Sequence, residues 1–226
     1  MTNPLSKEQV KEFAVMAGAS VVGIASSEDF GLAPEGFRPT DVLEGCRSVI
    51  VLGTPFPREA ILDDSVEYID IRNEVNRKIN DVAAEVGKFI KKEGYKKTKV
   101  VKGIGGKWVE GQSFGHISLK HAAELAGLGV IGRNYLLINA TYGTLLWFSA
   151  VLTEAEWIPD EKIQNTFCND CNLCVERCPS GALDDPSSFG KKACSNTCFA
   201  FEDKKWKIKC FLCRKVCPHC FDYKKA

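Results

Sequence analysis

Ten of the eleven cysteines of this chain lie in its last quarter, from Cys168 to Cys220. The run that opens at Cys168 has the spacing C-x2-C-x2-C-x3-C-P, and the run that opens at Cys210 keeps a C-x2-C-x3-C-P core. In the first spacing, three thiolates bind one iron–sulfur cluster and the fourth cysteine binds the other cluster of a pair. A structural zinc site uses four ligands from two separated C-x2-C pairs, which these runs do not follow. The spacing therefore predicts two [4Fe–4S] clusters.

The crossed pattern of such runs predicts which cysteines share a cluster. The predicted ligands of the first cluster are Cys168, Cys171, Cys174 and Cys217. The second cluster is predicted to use Cys178, Cys210, Cys213 and one further cysteine, for which the candidates are Cys194, Cys198 and Cys220. Spacing alone does not choose among these three.

Composition limits the classes of protein that this chain can represent. At 226 residues it is long enough for one full core and a small appended module. A net charge of +1 gives no general attraction to nucleic acid or to an anionic membrane. The N-terminus has no export signal and no apolar run is long enough for a membrane span, so we expect a cytoplasmic protein. In that reducing compartment, cysteines serve as metal ligands rather than as disulfides.

Hydrophobic periodicity predicts a mixture of helices and strands before the cysteine runs. Ser6 and Gln9 fit a capping box at the start of a first helix. Further helices are predicted over 69–92 and 117–126, and strands over 21–25, 48–53, 99–102, 135–139 and 145–153. The turn Thr141-Tyr142-Gly143 suggests that the last two strands form a hairpin. This order predicts an α+β fold, with domains at 1–158 and 159–226.

The segment from Gly127 to Gly132 reads G-x-G-x-x-G, the string of a dinucleotide-binding loop. That motif must follow a strand and open a helix, whereas here it follows a predicted helix and precedes a predicted strand. A dinucleotide site is therefore rejected. The glycines then either let the backbone approach a ligand closely or form a tight helix-to-strand turn.

The three histidines and the isolated cysteine carry weaker signals. His116, just before the helix at 117–126, is a candidate polar group of a pocket, while His121 fits a structural position within that helix. His219 lies in the loop between two cysteines, and Cys46 is expected to be a small buried residue.

Several segments, in order along the chain, resemble the epoxyqueuosine reductases and their relatives, the reductive dehalogenases. They are Phe37-Arg38-Pro39, Cys46 to Ile50, Ala122 to Asn134 with Leu136 to Ile138, Tyr142-Gly143, Ala150 to Thr153 and the two cysteine runs. Within them, the string Ala-Gly-Leu-Gly-x-Ile-Gly-Arg-Asn beside a cysteine-rich tail is specific for this family.

The resemblance implies a flavin-reductase (nitroreductase)-like domain that binds base-off cobalamin, followed by a ferredoxin-like domain with two clusters that relay electrons to cobalt. The loop 127–134 would then lie against the corrin. The implied cobalamin contacts are Gly127, Leu128, Gly129, Ile131, Gly132 and Asn134, with His116 as a further candidate. In the family, the cysteine after a basic pair serves the second cluster, which favours Cys194 after Lys191-Lys192.

Two departures from the family bear on the expected activity. The catalytic aspartate of the epoxyqueuosine reductases would fall at Ser113, and Glu110 is the nearest carboxylate. The tRNA-recognising helical repeats are also not expected in a chain ending at Ala226. We therefore expect a corrinoid-associated iron–sulfur reductase acting on a small substrate or on the corrinoid of another protein. The electron donor would be ferredoxin-like or a flavoprotein, with no nucleic-acid partner. The alternatives are a ferredoxin-like carrier without cobalamin, and epoxyqueuosine reductase itself.

Overall fold

The computed structural model of the protein describes residues 4–62, 67–109, 112–164, 168 and 170–221. The chain forms two compact units that alternate along the sequence. Unit 1 is built from Met1–Thr54, Val75–Gly129 and Trp147–Ile163, and unit 2 from Pro55–Glu74, Val130–Leu146 and Gln164–Ala226. The sequence suggested two consecutive domains, 1–158 and 159–226, and that division stays a prediction.

The elements are numbered here in chain order. Helices α1 to α8 span Lys7–Met16, Pro39–Val42, Glu59–Leu62, Tyr68–Lys92, Leu119–Leu125, Leu173–Glu176, Lys191–Cys198 and Leu212–Lys215. Strands β1 to β10 span Val21–Ser26, Ser48–Pro55, Thr98–Val101, Lys107–Val109, Gln112–Phe114, Val130–Ile131, Leu137–Ile138, Leu146–Thr153, Phe199–Glu202 and Lys205–Ile208. This mixture confirms the predicted α+β class.

Unit 1 is organised on a four-stranded sheet in the order β1-β2-β8-β3. Strands β1 and β2 are antiparallel, with Val21 opposite Gly53, and β3 and β8 are antiparallel, with Thr98 opposite Thr153. The two inner strands, β2 and β8, are buried along most of their length. Such continuous apolar runs are typical of strands that are covered on both faces.

Helices α1 and α4 supply much of the apolar core of unit 1. The Ser6 hydroxyl accepts a hydrogen bond from the Gln9 N–H, and the Gln9 side chain accepts one from the Ser6 N–H, so the predicted capping box is confirmed. In α4, Ile79 and Val86 are fully buried in the core cluster. Phe13 and Phe89 stack with their ring centroids 4.2 Å apart. The predicted apolar stripe therefore packs this helix into the core.

The last segment of unit 1 is fixed to its first strand by Asp160. The Asp160 carboxylate accepts a 2.8 Å hydrogen bond from the Ile24 N–H and forms ion pairs with Lys7 and Lys11, at 3.1 and 2.6 Å. Although burial alone would raise the pKa of this carboxyl group, the hydrogen bonds lower it. Composition placed this residue in the C-terminal domain, whereas its contacts lie in unit 1.

The predicted hairpin between residues 135–139 and 145–153 is wrong. Strand β7 pairs with β6, with Leu137 opposite Ile131, and β8 lies between β2 and β3 in the large sheet. The turn residues form a single bridge between Asn139 and Gly143. Local alternation does not reveal a strand's partner, and the fully buried β8 gains more from two apolar neighbours than from the two-residue β7.

Apart from the first turns of α4, the described elements of unit 2 are short. Helices α6 and α8 are four residues long each, and α7 has eight residues. Strands β9 and β10 form a hairpin with Phe201 opposite Trp206. Its two turn residues, Asp203 and Lys204, both have positive φ, at 52° and 61°, which is typical of a type I′ turn. Among the helices that the structure describes, none combines the length and apolarity needed to cross a membrane.

Candidate iron–sulfur centre

A cavity in unit 2 brings together the four cysteines that were predicted to bind the first cluster. Its volume is about 310 Å³, part of which is open to solvent. The residues that line it are Cys168, Cys171, Cys174, Cys217, Asn134, Ile138, Leu173, Pro218 and His219. The first three cysteines come from one run and Cys217 from the other, so both runs line one cavity, and the assignment of these four as ligands of one cluster stays a prediction.

The thiols of this cavity influence one another electrostatically. Burial raises the pKa of Cys174, and the neighbouring Cys168 and Cys171 raise it further. Burial also raises the pKa of Cys217 to about 12, with Cys220, Cys168 and Cys174 contributing in the same direction. Thiols with raised pKa values stay protonated at neutral pH until a metal displaces the protons. Four soft sulfur donors around one cavity suit iron–sulfur chemistry.

One backbone hydrogen bond points at a predicted ligand from outside the cysteine runs. The Arg133 N–H lies 3.2 Å from the Cys168 sulfur. The guanidinium group of Arg133 donates to the carbonyl oxygens of Asp184 and Asp185, each at 3.2 Å. Arg133 thereby ties the first cysteine to the loop that follows Cys178.

A second group of cysteines surrounds Cys213. Burial raises the pKa of Cys213 to about 11, Arg214 lowers it, and Cys194 and Cys210 raise it. The Cys198 sulfur donates to the Cys210 carbonyl oxygen at 2.9 Å, and the pKa of Cys198 is raised by burial and by Cys210 and Cys213. Both Cys194 and Cys198 therefore lie near the predicted second site, and its fourth ligand stays a prediction.

Two further cysteines that were considered for the second cluster, Cys220 and Cys178, have different surroundings from Cys213. Cys220 is fully buried, and the charged groups that lower its pKa against burial are Arg214 and Arg58. The Cys178 sulfur lies 3.4 Å from the Ser180 hydroxyl, and hydrogen bonds from Ser180 and the backbone lower its pKa although burial acts in the opposite direction. Its described contacts do not include the cysteines around Cys213. In the part of the chain that the structure describes, no group of three or more His, Cys, Asp or Glu could hold a single metal ion.

The residues expected to contact cobalamin are divided between the units. Gly127, Leu128, Gly129 and His116 belong to unit 1, and Ile131, Gly132 and Asn134 belong to unit 2. A Cβ at position 127, where φ is +69°, would collide with the Glu161 carbonyl oxygen. A Cβ at Gly132 would lie 2.7 Å from Cδ1 of Ile138. These two glycines are thus required by contacts within the chain itself, and the corrin contact stays a prediction.

Asn134 has a structural task in unit 2. It is 4% exposed, its amide nitrogen donates to the Cys213 carbonyl oxygen at 3.2 Å, and its oxygen accepts from the Leu136 N–H at 3.1 Å. Since it also lines the cavity, Asn134 connects the two groups of cysteines. In unit 1, Ser113 lies on strand β5 opposite Trp108, and Glu110 lies outside the described residues.

Of the residues with weaker signals, Cys46 is buried as expected. Cys46 is 2% exposed, and burial raises its pKa to about 11. The Ser118 hydroxyl lies 2.6 Å from Nδ1 of His121 and makes no capping hydrogen bond to the helix. Partial burial lowers the pKa of His121, although the residue is exposed to solvent, and its structural role stays a prediction.

Sequence reasoning missed two residues that shape the centre. Gly143 has a φ of +55°, and a Cβ there would lie 2.6 Å from the Cys220 carbonyl oxygen. The next N–H, of Thr144, lies 3.1 Å from the His219 carbonyl oxygen and 3.2 Å from that of Cys220, which fixes the end of the second run. Arg214 is the other missed residue, and it is 3% exposed. The Tyr-Gly pair was a signal for the first, whereas nothing distinguished Arg214 from Lys215.

The fold and the site define an α+β protein whose cysteine-rich C-terminal region is consistent with a ferredoxin-like tail. The structure superposes on epoxyqueuosine reductase from Streptococcus thermophilus with a TM-score of 0.68 and 19% identity, over 95% of this chain and 66% of that chain. It also superposes on a catabolic reductive dehalogenase in complex with 3-bromo-4-hydroxybenzoic acid, with a TM-score of 0.58 and 21% identity, over 80% of this chain and 26% of that one. At these identities the likeness shows the fold.

Sequence comparison gives the relationship. The chain is 33% identical to epoxyqueuosine reductase of Staphylococcus aureus over 116 residues, which are 46% of this chain and 30% of the relative. It is 26% identical to that of Cyclobacterium marinum over 199 residues, 80% of this chain and 60% of the relative. No protein-family model matches it. The chain is thus a distant homologue of the epoxyqueuosine reductases over about half to most of its length, and it spans less than two thirds of these relatives.

Proposed function

We propose that this chain is an iron–sulfur redox protein that holds two [4Fe–4S] clusters and passes low-potential electrons to cobalamin. The observation that carries the iron–sulfur part is the cavity of unit 2, where Cys217 joins three cysteines of the other run. The common position of these four cysteines around one cavity supports the proposal that they bind one cluster. The distant relationship to the epoxyqueuosine reductases supports a redox role for the site.

The residues of the cavity fit an iron–sulfur cluster. Four thiols supply the donor set, and the apolar side chains of Ile138, Leu173 and Pro218 line the same space. A bound cluster would supply one-electron storage at a potential set by its hydrogen bonds, net charge and solvent exposure. The chain's own contribution is to hold the thiolates, donate the Arg133 N–H to Cys168, and link the two groups of cysteines through Asn134.

The cobalamin part of the proposal rests on the family relationship. One dehalogenase structure with this fold was taken to suggest a mechanism for B12-dependent dehalogenation, at 21% identity and a TM-score of 0.57 to this chain. In the present chain, the described contacts of Gly127 and Gly132 are internal, so no step is assigned to cobalamin here. The finer hypothesis is a flavin-reductase-like fold that binds base-off cobalamin and receives electrons from a ferredoxin-like protein or a flavoprotein. The final acceptor would be a small substrate or another protein's corrinoid.

Anaerobic reconstitution with iron and sulfide tests the iron–sulfur part. We expect about eight irons per chain and EPR signals of two reduced [4Fe–4S] clusters after dithionite treatment. Cys171→Ser removes a ligand of the first site, and about half of the iron should be lost. The matched control is Cys46→Ser, which changes a buried cysteine of unit 1 and should leave the iron content unchanged. Retention of all iron by the Cys171 variant would contradict the assignment.

Addition of cob(II)alamin to the reconstituted chain tests the second part. Binding in the base-off form removes the nitrogen hyperfine splitting that the dimethylbenzimidazole ligand gives in the cobalt EPR signal. An unchanged cobalt spectrum, in a sample whose clusters are intact, would reject cobalamin binding. The chain would then be a ferredoxin-like electron carrier, which is the second candidate function.

A further inference from the structure

The hairpin formed by strands β9 and β10 has an exposed apolar face. Its register places Trp206 opposite Phe201 and Ile208 opposite Phe199, and residues that lie opposite each other share a face. Since successive side chains of a strand alternate between faces, these four apolar side chains lie on one face. Phe201 is 61% exposed, Trp206 59% and Phe199 39%. The rings of Phe201 and Trp206 contact each other edge to face, with centroids 5.3 Å apart.

An exposed aromatic face of this kind indicates a binding surface. Two strands alone are at best marginally stable in water and gain stability when a further layer packs on their apolar side. Exposed apolar patches mark interaction sites, and aromatic residues are enriched at the centres of protein interfaces. The pair of Phe201 and Trp206 is therefore the candidate anchor for a partner.

The charge of the hairpin indicates the chemistry of that partner. Residues 199–209 contain four lysines and two carboxylates, a net charge of +2, whereas the whole chain has +1. Both carboxylates form ion pairs with lysines of the same hairpin, at 2.6 to 3.8 Å, and the residues involved are Glu202, Asp203, Lys207 and Lys209. Among the residues that the structure describes, Lys204 and Lys205 have no carboxylate partner. The uncompensated charge at the turn is positive, which favours an acidic partner.

The same charges disfavour other occupants of the aromatic face. A two-fold contact with a second copy of the chain would bring Lys204 and Lys205 close to the identical pair, and like charges repel. A phosphate backbone or an anionic lipid surface presents many closely spaced negative charges, which Glu202 and Asp203 would oppose. A protein surface, by contrast, can place single carboxylates opposite the two unpaired lysines.

The base of the hairpin lies at two cysteines. The Lys209 N–H donates to the Cys198 carbonyl oxygen at 2.7 Å, and the Cys198 sulfur donates to the Cys210 carbonyl oxygen at 2.9 Å. A strand rises about 3.3 Å per residue, so Phe201 lies roughly 10 Å along the chain from Cys198. A protein that contacts the aromatic face is therefore held beside the cysteine-rich part of unit 2.

We propose that the β9–β10 hairpin is the docking site of an acidic electron-donor protein. Phe201 and Trp206 contact an apolar patch of the donor, and Lys204 and Lys205 pair with its carboxylates. The identity of the partner rests on the proposed function, because an electron donor is needed only if unit 2 holds clusters. Each transfer moves one electron from the reduced donor to one oxidised cluster, and no bond forms or breaks.

Two double variants test the hairpin, and each has a matched control in unit 1. Lys204→Glu/Lys205→Glu reverses the charge at the turn, and its control is Lys96→Glu/Lys97→Glu, which reverses another exposed pair of lysines. Phe201→Ala/Trp206→Ala removes the aromatic anchor, and its control is the truncation of a fully exposed apolar residue, Leu32→Ala. Iron and sulfide are measured in every sample after reconstitution of the full chain.

The probe is flavodoxin, a small acidic flavoprotein. Isothermal titration calorimetry measures its binding to the reconstituted chain at low and at high salt, without oxygen. A second measurement follows electron transfer from the dithionite-reduced chain, freed of excess dithionite, to oxidised flavodoxin, since one complex serves transfer in both directions. We expect each hairpin variant to weaken binding and slow transfer at least about tenfold, whereas each control changes them less than about twofold. Salt should weaken binding of the parent but have little effect on the charge-reversed variant.

The other outcomes overturn the proposal, and they separate it from the proposed function. Parent-like binding by both hairpin variants would exclude the hairpin as the docking site, and an equal effect in the lysine control would show a general effect of net charge. Loss of clusters in both hairpin variants would show that the hairpin serves the fold of unit 2.

The other classes of partner are tested with the same variants. If the hairpin variants lose binding to phosphatidylserine vesicles or to oligo(U) RNA but not to flavodoxin, the surface belongs to a membrane or to RNA. A dimer of the parent that the aromatic variant abolishes would show self-association instead. A parent with full clusters that does not bind flavodoxin would reject the docking site alone. A parent that binds flavodoxin through the hairpin but takes up no iron would reject the proposed function, and with it the identity of the partner as an electron donor.

Discussion

Unit 1 and unit 2 are each stabilised by a different kind of interaction. Unit 1 has a continuous apolar core in which residues from α1, α4 and the central strands are fully buried. Unit 2 has mostly short helices and short strands, with ten cysteines distributed among its loops and helices. The first unit can be stable through hydrophobic burial alone, whereas the second resembles small modules that need metal to fold.

The difference has a consequence for how each unit responds to the loss of one side chain. Removing an apolar group from unit 1 leaves a cavity whose cost is a few kcal/mol. If unit 2 binds the proposed clusters, removal of a ligand would remove a cluster, and with it the free energy that metal binding contributes to folding. Effects on iron content and effects on the stability of the metal-free chain should therefore separate cleanly between the units.

The largest expected effect concerns the fourth ligand of the second cluster. We expect that Cys194→Ala loses about half of the iron, whereas Cys198→Ala and Cys220→Ala retain it. The reason is the family resemblance, which favours the cysteine after the basic pair Lys191-Lys192. Electrostatics does not choose, because both Cys194 and Cys198 interact with Cys213. Iron and acid-labile sulfide per chain, measured after reconstitution, give the ranking.

Three matched variants make this ranking informative. Each replaces one cysteine of unit 2 by alanine, so a general loss of thiols would affect all three alike. If Cys198→Ala loses iron and Cys194→Ala does not, the cysteine after the basic pair is not the ligand. The helix α7 would then supply its last residue rather than its middle to the cluster.

Much of unit 1 could be predicted because its signals are local and periodic. The stripe that contains Ile79 and Val86 fixed the position of α4, and the Ser6-to-Gln9 box fixed the start of α1. The predicted pairing of β7 with β8 was wrong, because the sequence of a strand does not determine which strand it pairs with. The short hairpin of β4 and β5 carries too few residues for any period to be visible.

In unit 2, by contrast, the candidate ligands could be predicted from the sequence, but the secondary structure could not. The cysteine spacing identified the four thiols of the cavity, although the short elements around them were not predicted. The role of Gly143 depends on a carbonyl group supplied by Cys220, which is distant in sequence. Arg214 and Lys215 are chemically similar neighbours, yet only Arg214 is buried, and its guanidinium group donates a hydrogen bond to Tyr68. Spacing predicts ligands, whereas the surroundings of those ligands depend on the folded chain.

Truncation of a core side chain tests whether apolar burial stabilises unit 1. Ile79 is fully buried in unit 1, so Ile79→Ala should lower the free energy of unfolding of the metal-free chain by about 3 kcal/mol. Urea denaturation followed by far-ultraviolet circular dichroism measures this change. The matched control is Ile158→Ala, at a position in unit 1 that is 83% exposed, which should stay within about 0.5 kcal/mol of the parent.

Iron content completes this test of the comparison. At temperatures where the Ile79 variant is still folded, reconstitution should give the same iron per chain as the parent. A loss of iron in proportion to the loss of stability would show that cluster binding depends on the core of unit 1. The two units would then not differ in the way described above.

A smaller effect is expected from the charged group that fixes the end of unit 1. Asp160→Asn keeps the shape of the side chain but weakens its bonds to Ile24, Lys7 and Lys11, and should cost about 1–2 kcal/mol after solvent screening is allowed for. Since the pKa of Asp160 is lowered in the folded state, its contribution is present above the unfolded value of about 3.9 and is lost as the pH falls through the folded value.

The pH dependence distinguishes this carboxylate from a surface ion pair. The difference in unfolding free energy between the parent and Asp160→Asn should be constant near pH 7 and should shrink below about pH 4. Glu156→Gln, which removes an exposed partner of Arg47 at 3.2 Å, is the control and should cost less than about 1 kcal/mol. A difference that persists unchanged into acid would mean that the Asp160 charge does not carry the effect.

The smallest expected effect lies in the hairpin between Cys198 and Cys210 in unit 2. Lys204 has a φ of 61°, a conformation that costs an L-residue roughly 1–2 kcal/mol and glycine almost nothing. Lys204→Gly should therefore raise the stability of the reconstituted chain by about 0.5 kcal/mol, because the relief of strain exceeds the added entropy of the unfolded chain. Lys205→Gly removes the same side chain one residue later, within strand β10, where glycine weakens pairing and should lower stability.

Thermal unfolding of the two variants should thus shift in opposite directions from the parent. Equal destabilisation would show that relief of backbone strain at Lys204 does not outweigh the added entropy of glycine in the unfolded chain.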